Sequence, residues 1–300
     1  MASKKIIVKI AAGLGNQMFM YANAYAISHK YSLNLSIDNT SGFFQKKNKT
    51  LLREYGLDIF NLSTKECLNG DKFDNYLKHF IKKILVLIDR FKKNKRYYKE
   101  KIFRNKVTKF SSINLEGYSK KIYIEGYYQS EKYFMQFKKE IAKEFTINSP
   151  NLNNPYKNML LDSNSVSLHL RRNRFKNNDD NFGDPNYTGP ISFESVMNYT
   201  YRGIDFFRQN IKNPHFFIWS DNFKDIEKYF KGTNFTYIQG KDIKHDFYLF
   251  QFAKHFIVSP STFHWWGAWL NSSVNKTCLR PKDINPSSNV DFWPDKWIAI

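Results

Sequence analysis

Val166-Ser-Leu-His-Leu-Arg-Arg-Asn-Arg-Phe175 sets Val166, Leu168 and Leu170 in alternation with Ser167, His169 and Arg171. A period of two predicts a strand with one apolar face, and this strand delivers a histidine and two consecutive arginines from its end. A guanidinium presents a planar fork of donors that meets two phosphate oxygens at once, so Arg171 and Arg172 are read as an anion site suited to a diphosphate. Arginines closing salt bridges at a strand end are the plainer alternative.

Outward from this strand the chain alternates between strands and helices. Downstream, a helix near Ser192–Gln209, strand Phe216–Trp219, a helix near Phe223–Phe230 and strand Phe235–Ile238 follow. A short helix near Phe247–Phe252, strand His255–Val258, a helix from Thr262 and strand Lys276–Leu279 continue the series. At the N-terminus, strand Ile6–Ala11, a glycine turn, helix Gln17–His29 and strand Leu33–Asp38 make a βαβ opening. The breaker-rich stretch Asn148-Ser-Pro-Asn-Leu-Asn-Asn-Pro155 predicts a boundary between domains 1–150 and 151–300, with a Lys-rich helical insertion at about 65–110 in the first. Two α/β halves predict two Rossmann-like domains facing a central cleft, with a nucleotide at strand C-termini.

Several turns carry candidate chemistry. Ala11-Ala-Gly-Leu-Gly-Asn-Gln17 lies where a strand becomes a helix, and backbone N–H groups there can approach a phosphate. Met18 replaces the third glycine of the dinucleotide fingerprint, and no Lys-Ser/Thr of a P-loop follows, so neither NAD, FAD nor an ATPase is expected. Val258-Ser-Pro-Ser-Thr-Phe-His-Trp-Trp-Gly-Ala-Trp-Leu270 repeats the arrangement, with Ser261 or Thr262 as a cap and Trp265, Trp266 and Trp269 as core. His264 suits acid–base work or a hydrogen-bonded structural role. Asp246 can accept the N1–H and N2–H₂ donors of guanine or serve as a helix N-cap. Between Asn173 and Pro190 a polar loop carries Asp179, Asp180 and Asp184.

Composition narrows the classes. Three hundred residues with 42% hydrophobic and 18% aromatic content make a folded chain rather than a disordered one. Cys67 and Cys278 stand far apart without CxxC spacing, so neither a disulfide framework nor a zinc site is expected, and a cytoplasmic location fits. Of the net charge of +20, residues 78–109 supply +11, with 13 Lys/Arg against 2 Asp/Glu. Phe80, Ile81, Ile84, Leu85, Leu87, Ile88 and Phe91 recur there at helical spacing. Such a basic amphipathic helix suits peripheral contact with the inner face of an anionic membrane. A core-packed helix with a solvated lysine face is the alternative. Aromatics interleaved with cations also raise nucleic-acid binding as a rival, although no RNA- or DNA-binding signature accompanies them.

Five blocks stand in one order from Gly13 to Leu270: Gly13-Leu-Gly-Asn-Gln-Met-Phe19 with Tyr21-Ala22, Gly126-Tyr-Tyr-Gln-Ser-Glu-Lys-Tyr-Phe134, His169-Leu-Arg-Arg172, Trp219-Ser-Asp-Asn222 and Ser261-Thr-Phe-His-Trp-Trp-Gly-Ala-Trp-Leu270. Together they resemble the α-1,2-fucosyltransferase family, glycosyltransferase family eleven. The resemblance implies a GT-B fold and inverting transfer of L-fucose from GDP-fucose, without a metal or other cofactor, to the 2-hydroxyl of a galactosyl acceptor in a bacterial-type surface glycan. It implies that Arg171 and Asn16 touch the β-phosphate, that Ser261, Thr262 and Phe263 hold the phosphates or base, and that Asp246 reads guanine. Gly15, Arg172 and Asp221 complete the expected donor set, with His169 orienting the arginine or the ribose. Asp184, Glu194 and His264 are the candidate bases. The chain departs from the family where Asn173-Arg174-Phe175 replaces the usual Gly-Asp-Tyr and Pro260-Ser-Thr-Phe-His264 replaces Asn-Ser-Ser-Phe-Ser. Another donor sugar or linkage is therefore the alternative within the class.

Overall fold

In the computed structural model, which describes residues 4–44, 53–103, 106–147, 154–173, 191–240 and 242–300, the β-branched run at the N-terminus forms β1 (Lys5–Lys9) and turns into α1 (Leu14–Lys30). α1 buries Gly15 and every residue from Gln17 to Ser28, and His29 and Lys30 in its last turn suit the negative end of the helix dipole. β2 (Asn34–Asp38), α2 (Tyr76–Asp89), β3 (Lys95–Lys99), β4 (Tyr118–Glu125) and α3 (Lys138–Glu144) complete this part. Its four strands are parallel in the order β2-β1-β4-β3, with Ile6 opposite both Leu35 and Ile122. The order reverses between β1 and β4.

The second part begins with α4 (Pro155–Asp162) and β5 (Asn164–Leu170), followed by α5 (Phe193–Asn210) and β6 (Pro214–Ser220). β7 (Phe235–Tyr237), α6 (Ile243–Phe250), β8 (His255–Ile257), α7 (Thr262–Leu270), β9 (Cys278–Arg280) and β10 (Ile298–Ala299) follow. All six strands are parallel in the order β10-β9-β8-β5-β6-β7. Counted from β5, this is the 3-2-1-4-5-6 order of a doubly wound dinucleotide-type sheet, read from its far edge. Its reversal lies between β5 and β8, where such sheets bind ligands beyond the strand C-termini. Val166, Leu168, Leu170, Phe216, Ile218, Ile257 and Leu279 fill the core beneath. Tyr199 on α5 ties β8 to β9, donating to the carbonyls of Val258 (3.0 Å) and Leu279 (2.9 Å).

The chain divides into two compact units, residues 1–148 with 287–294, and 149–286 with 295–300. Ser287–Pro294, expected with the C-terminal half, thus belongs to the first unit, where the Thr108 N–H donates to the Ser288 carbonyl (2.8 Å). The helix expected near Phe223–Phe230 shrinks to a 3-10 turn at Ile226–Tyr229. Asp225 enters it with φ 53°, and Ser220 Oγ accepts from the Asn222 N–H (3.1 Å), which holds the preceding residues in a turn.

Candidate active site

β5 ends at Leu170, and the chain passes through Arg171 into a turn at Arg172. The two arginines differ in burial. Arg172 is 1% exposed, donates from Nη1 to the Lys224 carbonyl and lies over the Tyr229 ring at 5.5 Å. Through Nη1 it clamps the segment after β6, a packing role beside the donor-binding one expected for it. Arg171 remains half-buried at the strand end. Burial, and then the Arg171 charge, holds the His169 imidazole down at about 3, so it is neutral, with Nδ1 3.4 Å from Ser259 Oγ. Asp221, at the end of β6, accepts from the Asn173 N–H (3.2 Å), and its carbonyl accepts from the Asn173 side chain (3.0 Å). It ties the ends of β5 and β6 together.

Beyond β8, Ser261 occupies the N-cap position of α7, with extended φ −143° and ψ 130°, yet its side chain accepts no helix N–H. Its Oγ is buried with no hydrogen-bond partner among the described residues, and the residue is 3% exposed. The first N–H groups of α7 thus carry the positive end of the dipole without a side-chain cap. Thr262 and Phe263 are half-buried in this first turn. Phe263 packs on Phe247 (5.5 Å), Phe250 (5.4 Å) and His169 (6.0 Å). Trp265, Trp266 and Trp269 are all core, at 2% exposure or less.

His264 is fully buried with both ring nitrogens engaged. The Ser259 N–H donates to Nδ1 (3.2 Å) and Nε2 faces Ser167 Oγ at 3.0 Å. Burial drives its pKa far down. No lone pair is left to take a proton from an acceptor, so its part is to join β5 to the β8 turn, and the base role expected for it falls away.

On α6 the cap is Asp242, which accepts from the His245 N–H at 2.7 Å. Asp246 is thereby released from the capping alternative. Its Oδ1 has no hydrogen-bond partner among the described residues, and His245 Nδ1 lies 3.8 Å away. Burial, and then the nearby Asp242 charge, raises its carboxyl to about 7. A Cβ at Gly240 would meet this carboxylate, so any larger residue there would push the Asp246 side chain aside. Glu194 is exposed in the first turn of α5, where a carboxylate suits the helix dipole. No hydrogen bond or ion pair among the described residues ties it to the β5 and β8 turns. Asp184 lies outside the described residues.

The glycine turn of the first unit is built differently. Gln17, 1% exposed, donates from Nε2 to the carbonyls of Ala12 and Glu54 (both 2.8 Å) and accepts the Gly56 N–H (2.9 Å). Gly15 is buried inside this turn. Asn16 Oδ1 accepts from Gln129 Nε2 at 2.7 Å, and Gln129 Oε1 accepts from Ser287 Oγ at 2.6 Å. Asn16 thus turns its own N–H₂ away from Gln129. Glu100 secures the same loop by accepting the N–H groups of Tyr127 (2.7 Å) and Tyr128 (3.1 Å). Gln17, Gln129, Ser287 and Ser259 were not singled out from sequence. For Gln129 a signal existed, an amide directly after a strand in Gly126-Tyr-Tyr-Gln129, whereas Ser287 lies 158 positions away from its partner. Among the described residues, no three His, Cys, Asp or Glu side chains gather as a metal site.

The two parallel α/β sheets are those of a GT-B glycosyltransferase. The family model for glycosyl transferase family 11 matches residues 5–288, and the chain belongs to that family. It is 27% identical to an α-1,2-colitosyltransferase of Escherichia coli, over 98% of each chain. To the O-antigen biosynthesis glycosyltransferase WbnK of Escherichia coli it is 25% identical, over 97% of this chain and 99% of that one. Among solved structures it resembles a variant of FUT1 of Arabidopsis thaliana in complex with GDP, with TM-score 0.51, 11% identity, and coverage of 94% of this chain and 71% of that one. It also resembles the fucosyltransferase NodZ from Bradyrhizobium, with TM-score 0.50, 12% identity, and coverage of 96% and 97%.

Proposed function

We propose that this chain transfers L-fucose from GDP-fucose to the 2-hydroxyl of a galactosyl residue in a surface glycan, with inversion and without a metal ion, in the cytoplasm. One observation carries the reading: Arg171, the uncapped start of α7 and the unpartnered Ser261 Oγ lie at the strand-order reversal of a doubly wound parallel sheet. On α6, Asp246 Oδ1 has no hydrogen-bond partner among the described residues, and the next residue, Phe247, packs on Phe263. Asp246 accepts the N1–H and N2–H₂ of guanine, and Phe263 packs on the base. Ser261, Thr262 and the α7 N–H groups take phosphate oxygens, together with Arg171. In the first unit the Asn16 N–H₂ suits an oxygen of the same kind, and neutral His169 orients rather than neutralises.

As the bond from fucose C1 to the diphosphate oxygen breaks, its electron pair stays on GDP, where the guanidinium and helix dipole meet the growing charge. The acceptor oxygen bonds to C1 from the opposite face and gives up its proton, so the products are fucoside, GDP and H⁺. The second relative's place in O-antigen biosynthesis supports a surface-glycan acceptor. The first relative favours a second reading in which the donor is GDP-colitose, whose sugar lacks the 3-hydroxyl of fucose.

Both donors are tested with a panel of β-galactosides in EDTA. The proposal expects fucosylated product and released GDP. Product from GDP-colitose alone replaces the donor sugar and keeps the site. Product from neither, with GDP bound, overturns the transfer reading.

A further inference from the structure

Helix α2 is built inside out. Its buried residues are Lys82 and Asp89, 5% and 4% exposed, whereas Leu77, Phe80, Ile84, Leu87, Ile88 and Phe91 just beyond its end are 42% to 91% exposed. The polar side is fixed to the sheet. Lys82 pairs with Glu125 and lies over the rings of Tyr123 (4.7 Å) and Phe73 (5.3 Å). Burial alone would raise the Glu125 carboxyl, but Lys9 and Lys82 pull it down to about 2. Asp89 accepts the N–H groups of Arg96 and Tyr97 at 2.9 Å. Rolling the apolar side inward would break this buried ion pair and leave its charges unpaired. The alternative of a core-packed helix with a solvated lysine face is therefore reversed: the apolar residues face solvent.

Lys83, Arg90, Lys92 and Lys93 rim the face, all exposed, and none pairs with a carboxylate among the described residues. An unbroken apolar stripe of this kind marks an interaction surface rather than scattered surface hydrophobics. We propose that α2 docks on an anionic lipid bilayer, lying in the plane of the interface with its apolar side chains among the acyl chains and its cations at the headgroups. Charge selects this occupant. A second copy of the chain would bring the same four cations against their like, whereas anionic headgroups neutralise them. The fourteen residues of α2 extend about 21 Å, and no described helix is long and apolar enough to cross a membrane, so the helix lies flat. The inference goes beyond the transfer reaction and stands without it.

The test is sedimentation of the full chain with phosphatidylcholine vesicles, with and without about one-third phosphatidylglycerol, at low and high salt. Binding is expected only to the anionic vesicles, and weaker at high salt. The F80S/L87S/F91S variant should lose about tenfold or more in partitioning. The K83E/R90E/K92E/K93E variant should lose its preference for anionic lipid. All these positions face solvent, so circular dichroism and GDP binding should be unchanged in both. Failure of the wild type to bind anionic vesicles, or equal binding by the apolar variant, overturns the proposal. So does a dimer in sedimentation equilibrium that F80S/L87S/F91S dissociates while vesicles are ignored, since a second copy would then cover the face.

Discussion

The two sheets reverse their strand order in the same way and treat the helix start at the reversal differently. Between β1 and β4, Asn16, Gln129 and Ser287 form one chain of hydrogen bonds and Gln17 ties the surrounding backbone, while Glu100 Oε1 in the same loop is buried without a hydrogen-bond partner among the described residues, and Ala12 and Tyr128 are held at left-handed φ of 65° and 50°. Strain at two non-glycine residues persists only where neighbours over-determine the backbone. Between β5 and β8 the start of α7 is uncapped, and there and on α6 Ser261 Oγ and Asp246 Oδ1 are left without protein partners among the described residues. Each such buried group costs about 1–3 kcal/mol unless a ligand pairs with it. The first turn pair ties most of its side chains to one another, and the second is the one to which the donor nucleotide is assigned in the proposal.

The sharpest way to break this contrast is at the two arginines. Arg171→Ala should lower kcat/KM for transfer about 10²–10³-fold with the melting temperature nearly unchanged, because the side chain is assigned to charge that grows in the transition state. Arg172→Ala should do the reverse first, with a loss of stability of about 2 kcal/mol from breaking the buried hydrogen bond to Lys224 and the contact with Tyr229. Thermal melts beside steady-state kinetics separate the two.

Next is Asp246. Its carboxyl is raised to about 7 in the fold, above its ordinary 3.8, so the folded state holds a proton that the unfolded chain has released. Its contribution to stability is present in full below about 3.8 and is lost as pH rises through about 7. Asp246→Asn should therefore be more stable than the wild type at pH 8 and similar to it at pH 4, while GDP affinity falls. Wild-type GDP affinity should rise from pH 6 to 8 as the carboxylate ionises, and the Asn variant should be flat over that range. Denaturant melts and GDP titrations at both ends of the range check this.

The smallest effect is expected in the first unit. Gln129→Ala frees the Asn16 amide to rotate and should cost about tenfold in kcat, with GDP affinity held by the second unit nearly unchanged. Ser287→Ala, one bond further back, should cost less. A drop in GDP affinity as large as the drop in kcat would mean that Gln129 binds rather than positions.

Much of the architecture was legible because apolar periodicity marks buried strands. Ile6-Ile-Val8 and the Val166, Leu168, Leu170 alternation led to β1 and β5, and the Ser261 boundary to α7. β3 was missed because Lys95-Arg-Tyr-Tyr-Lys99 is an edge strand with little apolar content. The segment Ser287–Pro294 follows the C-terminal half in sequence but belongs to the first unit, and nothing local announces a partner as distant as Thr108 or Gln129. At the site, residue types were legible and directions were not. The period of two that revealed β5 stops at Leu170, so it left the directions of Arg171 and Arg172 open. Whether Asp246 caps its helix depended on Asp242, four residues earlier, taking that place.

The central claim is that the reversal between β5 and β8 binds a guanine nucleotide. Calorimetric titration of the wild-type chain with GDP and with ADP, both in EDTA, tests it most directly. One-site binding of GDP is expected, with little or none of ADP, and the same GDP affinity when Mg²⁺ replaces EDTA. Equal binding of the two nucleotides would contradict the role of Asp246, and no binding of GDP would contradict the assignment of the site itself.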